Sequence, residues 1–301
     1  CLIGDRERIQ PVLTRARPAR PIEVVHTTEF IGMDEAAGPA LRHRKDASMV
    51  MAAHMVKEGQ AQGMVCAGNT GALHQVALLE VGRLPGIKRP ALAAVFPTSG
   101  QPSLCLDMGA NADCKKEYLL QFAMMGSVYA QKVMGRHNPR VGLLNIGKEE
   151  GKGSTLVADA YELLSHAPRL NFVGNVEPMG FFAGDVDVGV CDGFVGNMML
   201  KTAEAVAEWL MGRVREAARS SAVATLGGAL LKPALKNLRR DVSHSEHGGA
   251  VLLGLRGVVV KCHGRATRET IENGIRVAER AVDNQVVERI ASNLAAEEVQ
   301  V

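Results

Sequence analysis

A three-layer α/β/α fold built on a mainly parallel sheet is predicted by three features of this sequence. Short β-branched or Leu/Ala runs alternate with longer amphipathic stretches along the chain, the βαβα rhythm of parallel strands covered by helices on both faces. Aromatic residues make up 4% while glycines number 32, which suits helices packed closely on a sheet better than an aromatic-rich sandwich. With 301 residues, 47% of them hydrophobic, the chain can bury a large core, and we read residues 1–301 as a single α/β domain.

Taken in order, Cys1–Asp5 reads as the end of a strand running into a turn, so that an N-terminal piece is expected to be missing. A helix over 48–58 stops at Gly59 and leads to a strand over 64–67, and a helix over 72–84 is closed by Pro85. Strands follow at 91–96 and 104–107. A helix over 115–134 precedes Asn138-Pro139 and a strand at 141–145, and a helix over 154–166 precedes a strand at 171–176. A strand at 186–191 feeds a helix over 197–219. Residues 212–243 break the rhythm, with two helical segments around Gly227-Gly228 and no strand between them, and are expected to form a protruding hairpin. A strand at 258–261 leads to one terminal helix over 267–294, where Ile271, Ile275, Ala278 and Val282 recur at helical spacing.

Thirty-five Lys and Arg against 32 acidic residues leave a net charge of +3, too weak over this length to imply a nucleic-acid partner. The six cysteines contain no CxxC pair, and four lie in apolar runs where reduced thiols pack as small hydrophobes, so a reducing compartment is expected. The uncharged apolar stretch Gly248–Leu255 is far shorter than a membrane span needs.

Five strands end in similar turns: Gly68-Asn69-Thr70-Gly71, Asp107 to Asp113, Asn145-Ile146-Gly147 through Lys152-Gly153, Asp192-Gly193 through Gly196-Asn197, and His263-Gly264. They are expected to converge on one sheet edge, where glycine lets backbone approach a ligand and the next helix offers free N–H groups to an anion. Each turn taken singly also fits ordinary turn and cap chemistry. Gly142-x4-Gly147-Lys148 has phosphate-loop spacing but continues into Glu149, and no GxGxxG follows a strand, so ATP and NAD motifs are absent. The cations of these loops, Lys152, Lys201 and Lys261, suit one phosphate or one developing oxyanion. No HExxH spacing exists, and no metal or cofactor is expected. Cys191 in its strand reads as core rather than nucleophile.

Together these residues resemble the phosphate acyltransferase (PlsX) family: Cys66-Ala67-Gly68-Asn69-Thr70-Gly71-Ala72, Asp107-Met108-Gly109-Ala110-Asn111-Ala112-Asp113, Pro139 to Gly147, and Cys191-Asp192-Gly193-Phe194-Val195-Gly196-Asn197. The likeness runs nearly end to end, lacking the family's first strand and its Asp-Ala-Met-Gly-Gly-Asp loop. It implies transfer of an acyl group from acyl-[acyl carrier protein] to orthophosphate, giving acyl phosphate for the glycerol-phosphate acyltransferase of bacterial phospholipid synthesis. It also implies an isocitrate/isopropylmalate dehydrogenase-like fold related to phosphotransacetylases, a homodimer, and a cytoplasmic protein peripherally associated with the inner face of the membrane. On this reading phosphate attacks the thioester directly. Asn69, Thr70, Asn197 and Lys152 hold phosphate or the carbonyl oxygen, and Asp107, Asp113 and Asp192 orient donors or assist proton movement. Gly71, Asn111, Gly147, Lys201 and His263 complete the substrate site.

In the hairpin, Leu231, Leu235 and Leu238 form an apolar stripe flanked by Lys232, Lys236, Arg239 and Arg240, a pattern that fits an anionic membrane surface or an acidic carrier protein. Two alternatives stand beside the transferase: an NAD-dependent β-decarboxylating dehydrogenase of the same fold, whose arginine cluster and metal-binding aspartates are not evident, and a catalytically inactive adaptor docking acyl carrier protein at the membrane.

Overall fold

The computed structural model describes residues 1–242 and 249–298, and the chain divides into two compact units, Cys1–Pro90 with Val251–Val301, and Ala91–Ala250. The first unit opens with β1 (Leu2–Gly4), α1 (Arg6–Ala16) and β2 (Val24–His26), which pairs in parallel with β1. Next come α2 (Ala37–His43), α3 (Ser48–Lys57), β3 (Gly63–Cys66) and α4 (Thr70–Val76). The helix predicted over 72–84 starts two residues earlier, because Asn69 caps it by accepting from the Ala72 N–H at 3.1 Å. It ends sooner too, passing into a π turn at Ala77–Val81 that Gly82 stops at φ 79°.

The second unit holds β4 (Ala91–Phe96), β5 (Ser103–Leu106), α5 (Lys116–Lys132), β6 (Arg140–Leu144), α6 (Thr155–Ser165), β7 (Asn171–Val176), α7 (Pro178–Ala183), β8 (Val188–Val190), α8 (Gly193–Ala217) and α9 (Ala222–Val242). Its strands lie in the order β4-β5-β8-β6-β7. Only the β4–β5 pair among these is antiparallel; β5 with β8, β8 with β6, and β6 with β7 run parallel. Register pairs Val190 with both Leu106 and Leu143, and Leu144 with Val176. The residues following these four strands, Asp107, Cys191-Asp192, Asn145 and Glu177, therefore leave the sheet on one edge. Beneath them α5 buries Leu119, Phe122, Ala123 and Met125, while Phe181 meets Phe96 edge to face at 5.7 Å between ring centres. Burying side chains of this size contributes about 1.5–3 kcal/mol each, which makes the strand layer a rigid mount for its rim.

At the opposite strand ends, Asp187 accepts from the Arg140 backbone N–H at 2.8 Å and from its Nε at 3.1 Å, with Arg136 Nε 3.8 Å away. Burial by itself would raise the Asp187 carboxyl, but the Arg140 hydrogen bonds and the two guanidinium charges outweigh it and hold the group below the ordinary carboxylate range. A depressed carboxylate stabilises the fold above its unfolded pKa and loses that contribution as pH falls through the folded value. Asp187→Asn is thus expected to lower the urea midpoint most at neutral pH, with the gap to wild type closing below about pH 4; a gap unchanged at pH 3 rejects the ion-pair account.

The hairpin differs from expectation in where it turns. Gly227-Gly228 lie inside α9, and the chain reverses at residues 218–221 between α8 and α9. Ala218 sits against the Gly228 backbone, so a Cβ on that glycine would lie 2.8 Å from the Ala218 Cβ: Gly228 serves close packing rather than a break.

The chain returns to the first unit with β9 (Ala250–Leu253), β10 (Val258–Lys261), α10 (Arg268–Asp283) and α11 (Val286–Glu298). β9 is read from sequence only as an apolar run. β10 is parallel to β3, with Lys261 opposite Cys66. The Asn69 and His263 turns accordingly leave these two strands at the same end. The single terminal helix predicted over 267–294 is two helices, because Gln285 adopts a left-handed conformation (φ 53°) and Asn284 Nδ2 donates to the Arg280 carbonyl at 2.8 Å. Among the described residues no helix is long and apolar enough to cross a membrane.

Candidate active site

In the second unit the rim is organised by Asp107, whose side chain is fully buried. Its Oδ1 accepts from the N–H groups of Leu92 (2.9 Å) and Ala110 (3.0 Å), and its Oδ2 from the N–H (2.6 Å) and Nδ2 (2.8 Å) of Asn111. Burial pushes the carboxyl upward against the pull of these donors. With both oxygens engaged, Asp107 fixes the 107–111 turn and ties it to β4. Its geometry suits the orienting half of its expected role, and Asn111, buried with it, is part of the same clamp.

The next strand end supplies α8. Asp192 caps it, Oδ1 accepting from the Val195 N–H at 2.8 Å, and the Gly193 N–H donates to the Asn111 carbonyl at 2.8 Å. Gly196 seats the helix on Asp107: a Cβ there would stand 1.9 Å from the Asp107 carbonyl oxygen. This contact sets Asn197 beside the Gly109 backbone, exposed, its amide without a hydrogen-bond partner among the described residues. Two further expected residues are solvent-accessible. Asp113 is exposed at the end of its turn, and Lys201, further along α8, is ion-paired with Glu204 at 2.7 Å.

β6 ends in the loop 145–153. Gly147 is buried beneath Lys152, whose side chain is exposed and has no carboxylate in ion-pair range among the described residues. Ser154 then caps α6 through the Val157 N–H at 3.4 Å, leaving the Thr155 and Leu156 N–H groups at the helix start. Lys152, Asn197 and the first turns of α6 and α8 thus lie on neighbouring strand ends of one unit, as anion binding requires. Asn145, which the sequence places at the head of this turn, and Asn175, which sequence reasoning passes over, are both buried under this loop. The signal was present, since asparagine is depleted in strand interiors and two of them follow or close apolar strands.

In the first unit Asn69 is committed elsewhere than expected. Its Nδ2 donates to the carbonyls of Met33 and Glu35, each at 2.9 Å, and of Gly32 at 3.3 Å. It therefore fastens the Gly32–Glu35 turn to the start of α4, and what the turn presents outward is Thr70 and Gly71, both exposed. His263 is exposed, its Nδ1 accepting from the Arg265 N–H at 3.1 Å in a local turn. Two thiols near the second unit's rim, Cys191 and Cys114, are poor nucleophiles. Cys191 is buried beside Cys105, and that thiol–thiol contact together with burial raises it well above its ordinary pKa; burial pushes Cys114 to about 12.

The sequence and the fold both have known relatives. A family model described as "Fatty acid synthesis protein" matches residues 1–289. A phosphate acyltransferase of Dictyoglomus turgidum is 46% identical over 295 residues, 97% of this chain and 88% of that protein, and one of Nitratidesulfovibrio vulgaris is 43% identical over 298, covering 99% and 86%. The chain belongs to the phosphate acyltransferase family. The solved phosphotransacetylase of Streptococcus pyogenes shares its fold, with a TM-score of 0.61 at 18% identity over 93% of this chain and 85% of that one. A branched-chain phosphotransacylase from Enterococcus faecalis V583 gives 0.56 at 18% identity, over 94% and 99%. This membership makes the chain an acyltransferase of lipid biosynthesis and sets aside the dehydrogenase reading. At the second unit's rim Lys152 and Asn197 are both outward, without a side-chain partner among the described residues.

Proposed function

We propose that this phosphate acyltransferase moves an acyl group from the thioester of acyl carrier protein to orthophosphate, with the rim of the second unit as its phosphate site. The observation that carries the reading is the exposed, unpaired Lys152 on a loop adjoining the α8 turn that presents Asn197. A phosphate oxygen attacks the thioester carbonyl, and the oxyanion that forms collapses as the C–S bond breaks. The acyl C–O–P bond remains, and the carrier thiolate takes a proton from solvent. Lys152 and Asn197 donate to phosphate or to the carbonyl oxygen, while Asp107 and Asp192 hold the turns that carry the donors. Holding two reactants in attack geometry can supply about 7–11 kcal/mol of barrier lowering, so no covalent enzyme intermediate is required. The test is release of carrier thiol from acyl carrier protein with and without phosphate. Release is expected only with phosphate, and Cys191→Ala is expected to keep at least half of it; phosphate-independent release, or an acyl group trapped on Cys191, overturns the scheme.

We further propose a homodimer that associates peripherally with the cytoplasmic membrane face. Val206, Trp209 and Leu210 are exposed on one side of α8, at 53, 65 and 52%, and fit a second copy of this chain. On α9, Val223, Leu226 and Leu230 recur at helical spacing with exposures of 82, 66 and 76%, and fit a bilayer. The exposed Leu231 and Lys232 continue that helix; the side chains of Leu235, Lys236, Leu238 and Arg239 lie outside the described residues. In sedimentation the wild type is expected to run as a dimer and to pellet with anionic vesicles, whereas Leu226→Glu with Leu230→Glu stays dimeric in the supernatant. Equal pelleting of both removes the α9 role, and a monomer removes the α8 role.

A further inference from the structure

The loop that carries Lys152 is held from beneath by two side-chain amides. Asn145, which follows β6, donates from Nδ2 to the Lys152 carbonyl at 2.9 Å and accepts from the Ile146 N–H at 2.8 Å. Asn175, in β7 opposite Leu143, donates from Nδ2 to the Glu149 carbonyl at 2.9 Å. The loop is then closed on itself by the Lys152 N–H, which donates to that same Glu149 carbonyl at 3.1 Å. Its backbone lies directly on the amide of Asn145: a Cβ on Gly153, which sits at φ 98°, would be 2.4 Å from the Asn145 Oδ1. Above, the Lys152 stem crosses Gly147, its Cγ 3.2 Å from where a Cβ would stand.

Both asparagines are buried, 9% and 8% exposed, and the Asn175 Oδ1 has no hydrogen-bond partner among the described residues. Leaving a buried amide oxygen unpaired is unfavourable, and an apolar residue would fill a β7 position beside Leu143 without that penalty. The amide is explained by what its other end does, which is to fix the height of the Glu149–Lys152 turn. We propose that Asn145 and Asn175 are positioning residues that set Lys152 at the rim for phosphate. The inference rests on Lys152 being the phosphate contact and assigns what holds it there.

A double-mutant cycle tests it on the intact protein, with carrier thiol release measured over a range of phosphate and of acyl carrier protein. Asn175→Ala and Asn145→Ala are each expected to raise KM for phosphate on the order of tenfold while leaving KM for acyl carrier protein within twofold. In a Lys152→Ala background the same substitutions are expected to add less than twofold. An equal loss in both backgrounds, an equal rise in both KM values, or no change in the wild-type background overturns the positioning role. If Lys152→Ala itself leaves phosphate kinetics untouched, the phosphate-site reading fails instead, and the inference falls with it. Thermal midpoints of all variants, with the isosteric Asn175→Asp as a second substitution that removes the donor but keeps the volume, separate a misplaced loop from an unfolded chain.

Discussion

Replacing Lys152 by alanine is expected to lower kcat for phosphate-dependent thiol release by about 10²–10³-fold, the loss that follows removal of one preorganised donor from a developing charge. The side chain is exposed and makes no ion pair among the described residues, so its loss should shift the thermal midpoint by no more than about 2 °C. That separation is what makes the experiment informative, because the change would act on the reaction and not on the fold. Lys152→Arg should recover only part of the rate, since a planar fork cannot occupy the place of a compact ammonium on a loop crossed so closely by its own stem. Retention of more than a third of wild-type kcat by the alanine variant would remove Lys152 from the site.

Gly196→Ala should act in the opposite way, through structure. A methyl group at this position would lie 1.9 Å from the Asp107 carbonyl oxygen and 3.1 Å from the Cys191 Sγ. Neither neighbour is a flexible side-chain end: the carbonyl belongs to a turn clamped by Asp107, and the thiol is buried. The first turn of α8 must therefore lift, carrying Asn197 away from Gly109. A destabilisation of about 3 kcal/mol is expected, at the upper end for overpacking, together with loss of activity in whatever fraction remains folded. A midpoint within experimental error of wild type would show that the seat of α8 is looser than these distances require. Gly212→Ala, on the same helix with nothing within 4 Å of the added methyl, is the matched control.

The α/β class and most strands were legible because apolar runs four to six residues long carry their own signal: Asn171–Val176 and Val258–Lys261 fall where the sequence puts them. The rim was legible as a kind of sequence, Gly with Asn or Asp after a strand, and parallel pairing is what aligns those turns at the strand ends. What could not be read is the direction in which each polar side chain faces. Asn69 and Asn197 look alike in sequence, yet one is consumed by three carbonyls and the other is left outward, a difference set by the Gly32–Glu35 turn, which is distant in the chain. The charge of Lys201 was equally visible, but its ion pair with Glu204 was not. Breaks in helices were misplaced for a related reason. Gly227-Gly228 signals a turn by propensity yet stays helical, with Gly228 packed on Ala218, while Gln285 carries no breaker signal and still ends a helix.

The length of α8 has a mechanical consequence. Twenty-five residues make a rod about 37 Å long, anchored at one end where Gly196 rests on the Asp107 backbone. A rocking of about 5° around that seat would swing the tip where α8 hands over to α9 by roughly 3 Å, yet move Asn197, one residue from the fulcrum, by only a few tenths of an ångström. Whatever the far end grips, the lever's short arm keeps Asn197 nearly still.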